Sequence, residues 1–164
     1  MALHDIDTMQ AIESAVHSID PQIILYGEGW TGGTTPLNPN KQATQQNIGK
    51  VVATSEGIGA VAVFNDVIRD GLKGSVFDPK GTGYINGSAS KTNADRVIFG
   101  LQGGVKTSAA NWGVQDAMVI NYMSSHDNHT LWDKLALSAP DADVSYRLAM
   151  NRLGAAAVWL GRGT

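Results

Sequence analysis

One acidic residue, Glu28, stands in a setting that favours chemistry. It lies in the segment YGEGW at residues 26–30, between two glycines and two positions before Trp30. The apolar run at residues 23–25 precedes it and predicts a strand buried on both faces. In barrels of parallel strands, catalytic groups lie where a strand meets its following loop, and Glu28 has such a position. A solvated turn glutamate is the ordinary alternative.

A second polar cluster follows a later apolar segment. The sequence SSHDNHT at residues 124–130 comes after a predicted strand that starts at Ala117 and ends at residue 120 or 123. His126 and His129 are three residues apart, which raises the alternative of a metal site. No carboxylate-plus-histidine ligand pattern accompanies them and the chain has no cysteine, so we expect no metal.

Strand patterns alternate with helix patterns along the chain. Strands are predicted at residues 23–27, at 61–64 and after Ala117, and helices are predicted at four places: from Asp7 to a stop at Pro21, then around residues 94–101, 131–135 and 146–160, with Gly161 ending the last. Loops are predicted at residues 31–59, 71–90 and 103–113. The alternation indicates a parallel sheet, which fits a doubly wound fold as well as a barrel.

The two polar motifs resemble conserved regions of the α-amylase superfamily, glycoside hydrolase family 13, in its type I pullulanase form. YGEGWTGG at residues 26–33 is similar to the third conserved region, and SHDNHTLWDKL at 125–135 is similar to the fourth. NDVIRDGLKGSVFD at 65–78 resembles a pullulanase segment after the sixth barrel strand, and residues 1–9 resemble the stretch past the second region. The blocks follow the order of the family.

The resemblance implies an α/β fold, a partial (β/α)8 TIM barrel from about the fourth helix to the seventh helix. Its strands would be the fifth, sixth and seventh. Residues 1–164 would form an incomplete catalytic domain, since such barrels need about 250 residues. The nucleophilic aspartate of the family would then precede Met1, and the eighth strand would follow residue 164.

The resemblance also assigns roles to residues. Glu28 would be the catalytic acid/base, and Asp127 the carboxylate that holds sugar hydroxyls and favours an oxocarbenium-like transition state. His126 would hydrogen-bond the sugar at the cleaved position, and Trp30 would stack on a sugar, with core packing as its alternative. Asn128 is included as a substrate-binding residue. Lesser expectations are an ion pair between Asp66 and Arg69 and packing roles for Trp112, Trp132 and Trp159.

The implied activity is hydrolysis of α-1,6-glucosidic bonds in pullulan and branched α-glucans by a retaining double displacement, within a longer parent enzyme. An isoamylase-type or other α-glucan hydrolase of the superfamily is the alternative, because it shares both motifs. An alternative of another class is a non-catalytic fragment that lacks the nucleophile. No cofactor is expected in this stretch, and the resemblance leaves room for a structural calcium in the parent.

Composition limits the partners. The 164 residues are 43% hydrophobic, which suits a domain with a core. The net charge of −3 gives no basic patch for nucleic acid, and the longest apolar run, residues 155–160, is too short to span a membrane. The lack of cysteine excludes disulfides but leaves the compartment, cytoplasmic or secreted, undecided. The expected partner is an α-glucan polysaccharide or oligosaccharide.

Overall fold

The computed structural model describes residues 1–54, 60–104 and 118–163. Within these ranges the helices are α1 (Ile6–His17), α2 (Asp66–Lys73), α3 (Lys91–Leu101), α4 (Leu131–Ser138) and α5 (Val144–Leu160). The strands are β1 (Tyr26–Gly27), β2 (Ala62–Asn65) and β3 (Val119–Asn121), and short 3₁₀ helices occupy Pro39–Lys41 and Ile48–Lys50. No helix in the described ranges is long and apolar enough to cross a membrane.

The three strands form one sheet in chain order. β1 pairs in parallel with β2, so that Tyr26 lies opposite Ala62 and Gly27 opposite Val63. β2 is buried, whereas Ile24, just before β1, is 46% exposed. The prediction of a strand buried on both faces at residues 23–25 is therefore wrong, because the strand begins only at Tyr26 and the side chains of Ile23 and Ile24 before it are exposed.

The chain divides into two compact units. The first contains Met1–Phe64, Gly103–Ile120 and Gly163–Thr164, and the second contains Asn65–Gln102 and Asn121–Arg162. The sheet belongs to the first unit, except that the last residues of β2 and β3 are counted with the second.

Helix α1 organises the first unit. Asp5 caps it by accepting a hydrogen bond from the Thr8 amide at 2.7 Å, so the predicted cap at Asp7 is wrong. Glu13 is fully buried and accepts from the Thr54 amide at 2.8 Å. Burial alone would raise the pKa of Glu13, but hydrogen bonds from Thr54 and His17 outweigh it and hold that pKa below its ordinary value. His17 also lies 2.8 Å from the Ile23 carbonyl, which joins α1 to the segment before β1.

Helix α2 was not expected from the sequence, which predicted a loop from Gly71. It begins without a connecting loop because Asn65, the last residue of β2, caps it by accepting from the Ile68 amide at 3.3 Å. The predicted helices α3, α4 and α5 are confirmed. Gly161 ends α5 as predicted, although its φ of −69° is not the left-handed conformation typical of such glycines.

A buried pair of amide side chains joins separate segments of the second unit. Asn121 accepts from Asn65 Nδ2 at 3.0 Å and donates through Nδ2 to the carbonyls of Gly100 and Arg162, at 3.1 and 2.8 Å. These bonds join the ends of α3 and α5 to the last residues of β2 and β3. The apolar core of this unit contains residues from all four of its helices, together with Ile85 and Met123 from the loops: Ile68, Leu72, Val97, Leu131, Leu135 and Met150 are the helical members.

The tryptophans expected to pack differ from one another. Trp159 is 86% exposed, so its predicted packing role is wrong: it lies on the solvent side of the last turn of α5. Trp132 is partly exposed and lies under the Arg147 guanidinium, 5.3 Å from its ring centre. Trp112 lies outside the described residues, as do Ala117 and most of the predicted loop at 103–113.

The contact between α2 and α3 requires Gly100. A Cβ placed there would lie 2.3 Å from Ile68 Cβ, whereas a Cβ at Gly33 would meet nothing within 4 Å. We expect Gly100→Ala to lower the thermal unfolding midpoint measured by circular dichroism, because overpacking costs about 1–3 kcal/mol and exceeds the gain in helix propensity. Gly33→Ala is the control, and equal midpoints for the two variants would contradict this packing.

Candidate functional site

In the first unit, Glu28 follows β1 directly, at the strand end where the sequence placed it. The next residue must be glycine, because a Cβ at Gly29 would lie 2.8 Å from Gln45 Cγ and 3.0 Å from Val63 Cγ1. Gly29 is buried, while Glu28 and Trp30 on either side are half-buried. The turn therefore presents the carboxylate and the indole from a tightly packed backbone.

Gln45 holds this turn, and sequence reasoning missed it. Its amide donates to the Gly29 carbonyl at 2.8 Å, and its side-chain Nε2 donates to the Phe64 carbonyl in β2 at 2.8 Å. One buried glutamine thus joins the turn after β1 to the neighbouring strand. It lies in the long polar stretch after residue 31, where nothing in the local pattern distinguishes it from other amides.

In the second unit, the predicted carboxylate Asp127 lies in a short hydrogen-bonded loop. Its Oδ1 accepts from Ser125 Oγ and from Asn128 Nδ2, both at 2.7 Å. The bond from Ser125 is the main reason that the pKa of Asp127 lies below its ordinary value, and the nearby charges of His126 and Arg69 act in the same direction. Asp127 is therefore ionised at neutral pH, with its carboxylate fixed and exposed to solvent.

A buried lysine holds this loop by hydrogen bonds. Lys73, the last residue of α2, is only 1% exposed, and its Nζ donates to the His129 carbonyl at 3.2 Å and to Asn128 Oδ1 at 3.4 Å. Burial, with the charge of Arg69, lowers the pKa of Lys73 to about 8, although Asp70 and Asp127 oppose the shift. Sequence reasoning did not assign Lys73, because a lysine at a helix end is normally solvated.

A second buried lysine fixes the neighbouring loop. Lys134 of α4 is also 1% exposed, and its Nζ donates to the carbonyls of Ser75, at 3.1 Å, and of Asp78. Burial lowers the pKa of Lys134 as well. The two carbonyls flank residues 76 and 77, so this loop is held at both ends.

Arg69 is a third buried cation of the second unit, beside Lys73 and Lys134. Its Nε donates to Asp70 Oδ1 at 2.7 Å and its Nη1 donates to the Tyr122 hydroxyl at 2.6 Å. Arg69 thus forms a salt bridge with Asp70, and the charge of Asp66 also acts on its guanidinium. Burial, together with the charges of Asp66 and Asp70, raises the pKa of Tyr122 to about 12, so the phenol stays protonated at neutral pH.

The two held loops border an open cleft of about 550 Å³ within the second unit. Its lining combines polar groups of the HDNHT motif with apolar groups of the other loop. The lining residues are Val76, Phe77, Pro79, His126, Asp127, Asn128, His129, Thr130 and Asp133. In the ranges that the structure describes, no three His, Cys, Asp or Glu side chains are grouped to hold a metal ion.

His126, Asp127 and Asn128 all line this cleft, and Ser125 and Lys73 are polar partners of Asp127 and Asn128. Glu28 and Trp30 lie together in the first unit.

Comparison with known proteins gives a consistent result. The chain is 35% identical to the pullulanase of Bacillus subtilis strain 168 over 164 residues, which is 99% of this chain and 21% of that protein.

Solved structures agree with the sequence comparison. The apo pullulanase from Paenibacillus barengoltzii matches with a TM-score of 0.89 and 36% identity, over 99% of this chain and 24% of that one. The pullulanase from Bacillus acidopullulyticus matches with a TM-score of 0.87 and 36% identity, over 99% of this chain and 18% of that one. No protein-family model matches the chain.

The chain is homologous to a segment of pullulanases. It spans between about a sixth and a fifth of the length of these curated relatives, which fits an interior part of such an enzyme. The predicted resemblance to pullulanases, which are glycoside hydrolases, is confirmed. The predicted mixture of helices and strands is confirmed by its match to solved pullulanases.

The depressed pKa of Lys73 predicts how stability depends on pH. Its pKa is about 8 in the folded chain and about 10.4 when unfolded, so between these values the unfolded chain binds more protons. Folding stability should therefore rise with pH in this window through Lys73 alone. Lys73→Met abolishes that contribution, so the melting midpoint of the wild type minus that of the variant should increase from pH 7.5 to pH 10.

Both proteins are measured in the same buffers, so that contributions from other groups, such as Tyr122, cancel in the difference. A difference that does not change with pH would mean that Lys73 titrates normally and is solvated.

Proposed function

We propose that this chain is part of a debranching glycoside hydrolase that cleaves α-1,6-glucosidic bonds in pullulan and branched α-glucans such as starch, glycogen and limit dextrins. The observation that carries the proposal is the fixed, ionised Asp127 with its Ser125 and Asn128 partners, in a chain similar to pullulanases along nearly all of its length. The half-buried Glu28 at the end of β1 is the carboxylate to which the proposal assigns acid/base catalysis.

We place the three strands as the fifth, sixth and seventh of a (β/α)8 barrel, and residues 1–164 as an incomplete catalytic barrel domain. Support comes from their order in the sheet, which is the chain order, and from the parallel pairing of β1 with β2. The structural similarity to the pullulanase from Paenibacillus barengoltzii supports the same placement.

Glu28 acts in this proposal as the general acid and then as the general base. It protonates the glycosidic oxygen as the bond to the sugar breaks, and afterwards takes a proton from the water that hydrolyses the glycosyl-enzyme intermediate. Retention requires a carboxylate nucleophile about 5–5.5 Å away. Family resemblance assigns this nucleophile to an aspartate of a different conserved region, which neither of the two motifs described here contains.

Asp127 stabilises the positive charge that develops on the sugar ring. Its hydrogen bonds from Ser125 and Asn128 hold the carboxylate in place before the reaction, so little reorganisation is needed in the transition state. His126, exposed on the same cleft, donates a hydrogen bond to a hydroxyl of that sugar. Asn128 positions Asp127 and contacts substrate, and Trp30 stacks on a sugar beside Glu28.

The substrate class is an α-glucan chain. The pullulanase from Paenibacillus barengoltzii has been solved in complex with maltohexaose and α-cyclodextrin. That enzyme and this chain share 36% identity over 99% of this chain, which supports the same class of ligand here. The proposal involves no metal or other cofactor in the chemical step.

Replacement of Glu28 tests its role as an acid. In a longer enzyme that carries this sequence, Glu28→Gln should reduce kcat on pullulan by about 10²–10⁴-fold, the usual contribution of general acid catalysis. The first step on α-glucosyl fluoride should be affected far less, because fluoride leaves without a proton. Pre-steady-state fluoride release and reducing-sugar assays measure the two losses, and equal losses would argue against an acid role.

Replacement of Asp127 tests charge stabilisation. Asp127→Asn should reduce kcat on both pullulan and α-glucosyl fluoride by about 10²–10³-fold, because the charge on the sugar develops with either leaving group. Asp133→Asn is the matched control, since Asp133 lines the same cleft but pairs with the helix cap Thr130 at 2.7 Å. Similar activities for the two variants would contradict the assignment.

A further inference from the structure

An aromatic side chain stands almost fully in solvent beside the cleft of the second unit. Phe77 is 92% exposed, more than any other large apolar side chain recorded in the described ranges. Leaving a phenylalanine in water forgoes the favourable free energy of burying its ring. Single exposed apolar residues are common, however, so exposure alone indicates nothing about function.

The backbone around Phe77 is held by hydrogen bonds. Lys134 Nζ donates to the carbonyls of Ser75 and Asp78, on either side of the residue. The Phe77 amide donates to Ser75 Oγ at 3.2 Å, and the Asp78 amide donates to the Ser75 carbonyl at 3.3 Å. The buried ammonium of Lys134 thus fixes the loop that carries the solvated Phe77 ring. Because the loop is already ordered, it loses little conformational entropy when the ring binds a ligand.

The lining of the cleft combines two kinds of chemistry. Phe77, Val76 and Pro79 are its apolar members, while His126 and Asp127 of the HDNHT motif are polar members of the same lining. A pyranose ring offers the same combination, with C–H groups on its faces and hydroxyls around its edge. An aromatic surface with a few placed polar groups is typical of sites that bind such small molecules, and 550 Å³ lies within their usual range.

We propose that Phe77 is a substrate-binding residue, which stacks on a glucose unit of the α-glucan chain while the HDNHT motif binds an adjoining sugar. This inference rests on the proposed function and extends it. The ring and the motif belong to the same unit and line the same cleft, so one oligosaccharide reaches both. The resemblance to known enzymes assigned Phe77 no role.

The chain offers a matched control for exposure. Trp159 is 86% exposed, in the last turn of α5, and does not line this cleft. If general surface hydrophobicity were responsible for glucan binding, removal of either ring would weaken it. If the cleft is responsible, glucan binding is weakened only by removal of the Phe77 ring.

The experiment compares variants of a longer enzyme that carries this sequence. Maltohexaose binding is measured by isothermal titration calorimetry with Phe77→Ala, Phe77→Trp and Trp159→Ala. Loss of one stacked ring should weaken binding about 3- to 10-fold in Phe77→Ala. Phe77→Trp should bind at least as well as the wild type, and the affinity of Trp159→Ala should be unchanged.

With pullulan, Phe77→Ala should raise KM by a similar factor and change kcat less than about threefold, because the ring binds ground state and transition state alike.

Wild-type affinity in Phe77→Ala, equal losses in Phe77→Ala and Trp159→Ala, or no maltohexaose binding by the unmodified enzyme would each overturn the inference. The catalytic proposal is judged separately, by Glu28→Gln and Asp127→Asn. If those variants retained full activity while Phe77→Ala still lost affinity, the catalytic assignment would fail and the stacking role would stand.

Discussion

Two buried ammonium groups impose the main constraint on the second unit. Lys73 and Lys134 are each only 1% exposed, and a charge removed from water is costly unless hydrogen bonds replace its hydration. The structure supplies oxygens from two loops, residues 75–78 and residues 128–129. The helices that carry these lysines can therefore pack only with both loops lying against them. Residues of the two loops then line the cleft.

The same buried charges influence the chemistry of the cleft. Lys73 binds Asn128, which donates to Asp127, so the carboxylate is linked to the end of α2 through two hydrogen bonds. Arg69 is also buried in this unit, and its positive charge helps to keep the pKa of Asp127 low. Electrostatic stabilisation of a transition state works best when the stabilising group is already in position. Structural support and catalytic preparation thus depend on the same side chains.

Much of the local structure could be predicted from the sequence. Helices α3, α4 and α5 follow from apolar residues at helical spacing with polar caps, and the position of Glu28 at a strand end follows from an apolar run broken by glycines. Helix α2 could not be predicted in the same way, because glycine at position 71 suggested a loop. The cap that starts α2, Asn65, is itself the last residue of a strand. Its bond with Asn121 links positions 56 residues apart, which no local window contains.

The sequence by itself determined which residue types stand at the two motifs, and hence the resemblance and the expected chemistry. The tertiary structure decided what holds them. Gly29 must be glycine because Gln45 passes within 3 Å of the space for a side chain, and Asp127 owes part of its low pKa to Arg69, 58 positions before it in the chain. Local patterns follow from backbone propensity and burial periodicity, which act over a few residues. Burial of a charge and the close approach of two backbones depend on segments that only the folded chain brings together.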